Sequence, residues 1–127
     1  MKEVIFIIYV KDQKLSRNFY SKVLNIEPVL DVSGMTEFKI NEFTKLGIMP
    51  ESGIVRILGD NTPNPSSGSG IPRCEIYLQV ENPDLYIKRA LENGAKLVNE
   101  LSERNWGDIV GYVSDLDGHI LAFAVKK

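Results

Sequence analysis

The sequence repeats one strand–turn–helix pattern at an interval of 70 residues. Residues 4–24 read VIFIIYVKDQKLSRNFYSKVL, and residues 74–94 read CEIYLQVENPDLYIKRALENG. In each copy an apolar run that ends in valine (Val10 or Val80) precedes a polar turn and a stretch whose apolar residues recur at helical spacing. A duplicated strand–helix unit in a chain of 127 residues predicts a pseudo-symmetric sheet with a cavity between its halves.

Length and composition predict a single domain, residues 1–127, of average soluble character. A net charge of −2 without a basic run does not favour nucleic-acid binding, which needs clustered lysine and arginine side chains. The apolar N-terminal run is far shorter than the roughly 20 residues that span a bilayer, so we expect no membrane association. The one cysteine, Cys74, excludes an internal disulfide and agrees with a reducing, cytoplasmic compartment.

Periodicity and turn residues place a first module at about residues 1–58. Residues 3–10 are almost entirely apolar, which is typical of a strand buried on both faces. Asp12 is positioned to cap the following helix, whose apolar residues form one stripe. Residues 54–58 fit either a strand or a helical turn. Three short strands are predicted between these segments, at residues 28–33, 36–41 and 45–50.

A second module is predicted at about residues 73–127, after the loop 59–72, which serves as a connector or as a binding loop. It begins with a strand at 73–80 and a helix that has Asn82 as its N-cap and Gly94 at its end. Three further strands, the last two joined by a hairpin turn at 115–118, are predicted at 96–100, 108–114 and 119–125. The element order is therefore βαβββ twice, an α+β fold.

The strand at 74–80 divides its side chains between two chemically different faces. Its even-numbered residues are apolar and should pack against helices, with Cys74 among them as a buried, inert thiol. Glu75, Tyr77 and Gln79 share the other face, which meets either solvent or a polar cavity. The matching positions of the first half, which are apolar or amphipathic, are Ile5, Ile7 and Tyr9. Such residues would be unusual on a fully wetted surface, so a partly enclosed groove fits both halves.

Two stretches carry a family resemblance. They are Val10-Lys11-Asp12 with Ser16, Phe19-Tyr20 and Leu24, and Asn105-Trp106-Gly107-Asp108 leading to Asp115-Leu116-Asp117-Gly118-His119-Ile120-Leu121-Ala122-Phe123. Both resemble the vicinal oxygen chelate superfamily, which includes glyoxalases, bleomycin- and fosfomycin-resistance proteins and extradiol dioxygenases. The resemblance implies a glyoxalase-like fold, in which the mixed sheet of two βαβββ modules forms a U-shaped open barrel. It also implies a small-molecule pocket in the concavity and a homodimer.

Members of this superfamily usually hold a divalent metal with a His on the first strand and a Glu on the last strand of each module. At the positions that match three of these ligands the chain has Ile5, Glu75 and Ala122. The fourth falls near the end of the first module, where Glu51 is the one carboxylate. The one histidine, His119, directly follows the predicted hairpin turn and stands where the superfamily has a turn residue, so we expect a turn or surface role for it. Since a catalytic divalent ion needs three or more protein ligands, the sequence predicts no metal cofactor.

Without a metal, the pocket would act through its shape and a few polar side chains. Glu75 is the first candidate for ligand binding and the one candidate catalytic group, although a solvated glutamate or a structural ion pair also fits. The other candidate ligand-binding residues are Tyr77, Tyr9, Trp106, Tyr112, Glu37 and Met49. Core packing is the alternative for the tyrosines and Met49, and the sequence does not fix the face on which Glu37 lies.

Three functions fit these residues. The first is a metal-independent glyoxalase/bleomycin-resistance-like protein that sequesters or senses a small molecule, cationic or polyhydroxylated, in the concave groove. The alternative is a metal-dependent lyase, isomerase or dioxygenase of the same superfamily, in which Glu37, Glu51 and Glu75 supply metal ligands or a general base. A dimeric structural protein with a vestigial pocket is a third hypothesis.

Overall fold

A computed structural model describes all 127 residues of the chain. The chain divides into two compact units, Met1–Ser21 with Asn25–Ser69 and Lys22–Leu24 with Gly70–Lys127. Each unit contains one four-stranded mixed sheet. No helix in the chain combines the length and the apolar character needed to cross a lipid bilayer.

The first unit has the strand order β1-β4-β3-β2, with β1 parallel to β4 and the other pairs antiparallel. Its elements are β1 (Val4–Val10), α1 (Gln13–Leu24), β2 (Leu30–Val32), β3 (Met35–Asn41), β4 (Thr44–Pro50) and α2 (Glu51–Leu58). The segment that the sequence left open between strand and helix therefore belongs to a helix. The loop after it contains two short 3-10 turns, Gly59–Asn61 and Pro65–Gly68.

The second unit repeats this topology with the strand order β5-β8-β7-β6 and a parallel β5–β8 pair. Its elements are β5 (Glu75–Gln79), α3 (Pro83–Glu92), β6 (Lys96–Glu103), β7 (Asp108–Ser114) and β8 (Ile120–Lys126). The predicted βαβββ order is thus confirmed in both halves, together with the α+β class.

The helix ends follow the sequence signals only in part. Asp12 caps α1 as predicted, because its side chain accepts a hydrogen bond of 2.9 Å from the backbone nitrogen of Leu15. Gly94 follows α3 with a φ of +101°, a conformation that favours glycine. Asn82 occupies the N-cap position of α3, as predicted. Its side chain makes no capping hydrogen bond, so the expected side-chain cap is wrong.

Alternate residues of the first sheet form its buried side. The strand registers place Ile8, Ile48 and Thr36 side by side and Leu46 beside Phe38. All five side chains are buried. The opposite side of this sheet carries the other set of residues, as the period of two in a strand requires.

The expectation that the first strand is buried on both faces is wrong. Phe6 is 64% exposed and Ile7 is 42% exposed. The reason is that β1 lies at an edge of its sheet and has a neighbouring strand on one side only. Its register partner at Ile7 is Gly47, which has no side chain to cover that position.

The buried thiol predicted at the second repeat is also wrong. Cys74 is exposed and lies one residue before β5, which begins at Glu75. It is therefore not part of the alternating strand on which the prediction rested.

Helix α3 packs against one face of the second sheet. The rings of Tyr86 and Phe123 lie with their centroids 5.3 Å apart. Gly111, the register partner of Phe123, allows the close approach of the helix. A Cβ atom at this glycine would collide with Ile87 Cδ1 and would lie 3.2 Å from the backbone nitrogen of Leu101.

The turn between β7 and β8 is organised by the buried side chain of Asp115. Its Oδ1 atom accepts hydrogen bonds from the backbone nitrogens of Asp117 (2.9 Å) and His119 (2.8 Å). His119 is therefore a turn residue, as the sequence predicts. Gly118 has a φ of +91°, and a Cβ atom there would lie 2.7 Å from the Cα atom of Gly70.

We expect Gly111→Ala to lower the free energy of unfolding by about 1–3 kcal/mol, because the added methyl group overpacks the contact with Ile87. Gly53→Ala in α2 is the matched control, since its Cβ would meet nothing closer than Pro50 Cγ at 3.5 Å and alanine favours helix. Urea unfolding of both variants measures the difference. Equal stability of Gly111→Ala and wild type would show that α3 does not press against the sheet at this point.

Candidate functional site

The face of the second sheet opposite α3 carries a hydrogen bond between side chains on two strands that are not neighbours. The hydroxyl of Tyr77, on β5, donates to Asp108 Oδ2, on β7, over 2.6 Å. Asp108 is buried, with 8% of its surface exposed. A short bond from a phenol to a carboxylate is a charge-assisted hydrogen bond, which is stronger than a bond between two neutral groups.

Two further side chains complete this network. Gln79 Nε2 donates to the same oxygen of Asp108 over 2.9 Å. The indole nitrogen of Trp106, in the turn before β7, donates to the Tyr77 hydroxyl over 3.0 Å. The phenol oxygen of Tyr77 therefore donates one hydrogen bond and accepts another. Trp106 itself is 56% exposed, so it stands at the solvent side of the network.

Small side chains on β8 make the long reach of Tyr77 possible. Strand β8 lies between β5 and β7, and it presents Ala122 and Ala124 to this face. Both alanines are fully buried, and the half-buried rings of Tyr77 and Tyr112 pack against them. We name the surface formed by Glu75, Tyr77, Gln79, Trp106, Asp108 and Tyr112 over these alanines the Tyr77 face.

The environment of Tyr77 keeps its phenol neutral. Burial raises the pKa of Tyr77 above its ordinary value of 10.0, and the hydrogen bond to Asp108 raises it further. The hydrogen bond from Trp106 acts in the opposite direction and stabilises the phenolate. Since the raising effects dominate, Tyr77 is a protonated hydrogen-bond donor at neutral pH rather than a base.

Arg104 fixes the turn that carries Trp106. Its Nη2 atom donates to the backbone oxygens of Glu100 (3.1 Å) and Val110 (3.0 Å), and so joins β6 to β7 where their register is irregular. The guanidinium lies 5.3 Å from the ring centroid of Tyr112, within cation–π distance. Its buried Nε atom makes no hydrogen bond. Arg104 therefore positions one aromatic side chain of the Tyr77 face directly and holds the turn that carries a second.

Glu75 lies on the same face, two residues before Tyr77 on β5. It is exposed, and none of the ion pairs or hydrogen bonds of the chain involves it. The four sequence candidates of the second half, Glu75, Tyr77, Trp106 and Tyr112, thus share one unit and one face.

The other three candidates lie together on the first sheet. Tyr9 and Met49 are register partners, and Glu37 is the partner of Gly47 on the same side. Glu37 accepts a hydrogen bond of 3.3 Å from Lys45 Nζ. Lys45 also pairs with Glu3, and the two glutamates, Glu3 first, raise the pKa of Lys45. The carboxylate of Glu37 therefore already shares a cation, Lys45, with Glu3.

Sequence reasoning missed the residue at the centre of the network, Asp108. In the sequence this residue stands out only as part of the family signature. The partner of Asp108 on β5 is separated from it by 31 residues, so no local pattern connects them. The alternation of β5 predicts that Gln79 shares the face of Tyr77, and this is confirmed because both side chains bind the same carboxylate oxygen.

Comparison with known proteins identifies the family. Residues 3–125 match the sequence model of the glyoxalase-like domain. The chain belongs to the glyoxalase-like family. The uncharacterized protein Mb0911c of Mycobacterium bovis is 30% identical over 118 residues, which cover 88% of this chain and 75% of that protein.

Solved structures of this family share the fold. A glyoxalase-related enzyme from Fulvimarina pelagi has a TM-score of 0.83 at 19% identity, over 99% of this chain and 89% of that one. A glyoxalase/bleomycin resistance protein from Albidiferax ferrireducens has a TM-score of 0.71 at 17% identity, over 97% of each chain. Together with the family match, these likenesses confirm the resemblance to the vicinal oxygen chelate superfamily.

The divalent metal of the superfamily does not fit the residues of this glyoxalase-like chain. Of the matching ligand positions, Ile5 and Ala122 have no donor atom, and Ala122 is covered by tyrosine rings. Glu51 begins helix α2 instead of ending a strand. No group of three or more His, Cys, Asp or Glu side chains is arranged to hold a metal ion.

We expect Tyr77→Phe to lower the free energy of unfolding by about 1.5–3 kcal/mol at pH 7, because a hydrogen bond to a buried carboxylate is lost. The deficit should shrink above pH 10. There the unfolded phenol of the wild type releases a proton that the folded Tyr77 retains, so the wild type loses stability as the pH rises through the folded pKa. Urea unfolding between pH 7 and pH 11 measures both effects. A deficit that stays constant up to pH 11 would contradict the raised pKa of Tyr77.

Proposed function

We propose that the chain is a glyoxalase-like protein that binds a small molecule on the Tyr77 face without the divalent metal of its superfamily. The observation that carries this proposal is the hydrogen bond from Tyr77 to Asp108 across Ala122 and Ala124. It places polar atoms and aromatic rings together on one sheet, where a ligand can meet both. Apolar walls with a few fixed polar groups are typical of small-molecule sites.

The chemistry of the network favours binding over acid–base catalysis. The phenol of Tyr77 already donates to Asp108 and keeps its proton at neutral pH. If Tyr77 lost this proton, a phenolate would lie next to a carboxylate, and like charges at this distance repel each other. Tyr77 is therefore suited to a structural role in the binding surface. Sequestration or sensing of the ligand fits this role better than a reaction that needs proton transfer.

The acidic side chains of the chain also support a function that does not use a metal. The alternative, a metal-dependent lyase, isomerase or dioxygenase that uses Glu37, Glu51 and Glu75, requires oxygen ligands that converge on one ion. Glu37 is paired with Lys45, and no group of three acidic, cysteine or histidine side chains is arranged for a metal.

We expect protein purified without chelator to contain less than stoichiometric Mg, Mn, Fe, Ni or Zn by elemental analysis. A metabolite library should yield compounds that change the emission of Trp106, the one tryptophan of the chain, and that raise the melting temperature. Trp106→Phe should bind such a compound more weakly. Tyr86→Phe, which removes a phenol from the α3 side of the same unit, is the matched control and should bind it as the wild type does.

Two outcomes would contradict the proposal. Stoichiometric metal that is lost from Glu75→Gln would favour the enzyme of the same superfamily. Compounds that raise the melting temperature but bind Trp106→Phe and Tyr86→Phe equally would place the binding site away from the Tyr77 face.

We also propose the homodimer and the cytoplasmic location that the sequence suggests. An exposed apolar strand such as β1, with Phe6 and Ile7 open to solvent, supports a second copy as its cover. The free, exposed Cys74 is compatible with a reducing compartment. Sedimentation equilibrium should give about twice the chain mass for the wild type and a weaker dimer for Phe6→Ser, with Leu15→Ser in α1, also exposed, as the control. A monomer at all concentrations would contradict the dimer.

A further inference from the structure

We propose that the small molecule bound on the Tyr77 face is an organic cation, an ammonium group attached to an apolar body. This inference rests on the proposed function and narrows its ligand to one charge class. It depends on the charge balance around Asp108 and on the aromatic side chains beside it.

Asp108 is a buried carboxylate without a counter-ion. Its two hydrogen-bond donors, Tyr77 and Gln79, are both neutral, and both bind Oδ2. No hydrogen bond of the chain ends on the other oxygen, Oδ1, and none of the ion pairs includes this residue. A carboxylate of such low exposure is usually paired, and Oδ1 is not among the fully buried atoms, so it is open to a partner. A cation of the ligand would supply the missing pair.

Two cations lie near Asp108 in the sequence or in the sheet, and neither pairs with it. Lys126 is the register partner of Asp108 on β8, but it makes no ion pair with it. Arg104 uses its Nη2 atom for Asn99, Glu100 and Val110 and places its guanidinium beside a tyrosine ring. Neither cation forms an ion pair with Asp108, so this carboxylate has no cationic contact within the chain.

A second carboxylate and the aromatic rings point to the same class of ligand. Glu75 projects from the same face of β5 as Tyr77 and has no partner of its own. The rings of Tyr77 and Trp106 offer faces that attract a cation and pack against its apolar part, whereas the ring of Tyr112 already has Arg104 beside it. With two carboxylates and one guanidinium, Arg104, the face carries an excess of negative charge that disfavours an anionic ligand. A neutral polyol would leave that excess unpaired.

The test compares three probes that share one aromatic body and differ in charge: benzylammonium, benzyl alcohol and benzoate. A chain with one tryptophan gives one indole signal in a ¹H–¹⁵N spectrum, so each probe is titrated against the Trp106 indole resonance. We expect benzylammonium to bind roughly tenfold more tightly than benzyl alcohol, the factor expected when a charge-assisted hydrogen bond replaces a neutral one. Benzoate should bind least.

Variants that remove one carboxylate each show which side chain causes the preference for benzylammonium. Glu75→Gln is exposed and unpartnered, so it should fold as the wild type does and should lose roughly threefold of the preference for benzylammonium over benzyl alcohol. Asp108→Asn should lose most of that preference. Glu100→Gln on β6, which removes an exposed carboxylate from the groove between α3 and β6, is the matched control and should keep it.

Each alternative outcome has a distinct meaning. If benzyl alcohol or benzoate binds as tightly as benzylammonium, the cation inference is wrong while the binding site stands. If Glu100→Gln lowers the preference as much as Glu75→Gln, the effect comes from the overall charge and the inference is also wrong. If Mg²⁺ or Zn²⁺ alone shifts the indole resonance and displaces benzylammonium, the carboxylates hold a metal and both proposals fail. If no probe shifts the resonance, the Tyr77 face is not a small-molecule site.

Discussion

The strand order β5-β8-β7-β6 is the constraint on which the candidate site depends. Because the last strand of the module lies between its first and third strands, any contact from β5 to β7 must cross β8. Strand β8 permits this crossing because Ala122 and Ala124 end at Cβ and leave room for an aromatic ring. Tyr77 uses that room to reach Asp108. The position of the polar atoms thus follows from the topology and from two small residues.

The β6–β7 turn adds the exposed part of the same surface. Trp106 projects from this turn onto the hydroxyl of Tyr77, and Arg104 holds the turn by binding backbone oxygens of both strands. The buried Nε atom of Arg104 without a hydrogen bond is an energetic cost. At the same position the guanidinium contacts the ring of Tyr112, and this contact offsets part of the cost. One arginine therefore orients two of the three aromatic side chains that the proposed ligand would meet.

The sequence was sufficient for the features that depend on local periodicity, and insufficient for those that depend on sheet neighbours. The repeat predicted both βαβββ modules, and the alternation in β5 placed Tyr77 and Gln79 on one face. The prediction that β1 is buried on both faces is wrong, because an apolar run does not reveal whether a strand lies at the edge of its sheet. Asp108 was missed as a site residue because its importance comes from Tyr77, which only the parallel β5–β8 pairing brings within reach.

A metal-binding carboxylate and the aromatic network exclude each other on this sheet. Strand β8 is where the superfamily places a glutamate ligand, and a longer side chain at Ala122 would need the volume that the rings of Tyr77 and Tyr112 fill. In the superfamily the negative side chains are balanced by the metal that they hold. Here the alternation of β7 places Asp108 on the face, where the neutral side chains of Tyr77 and Gln79 bind it and no cation of the chain pairs with it. A cationic ligand, as proposed, would supply the positive charge that the metal supplies in the superfamily.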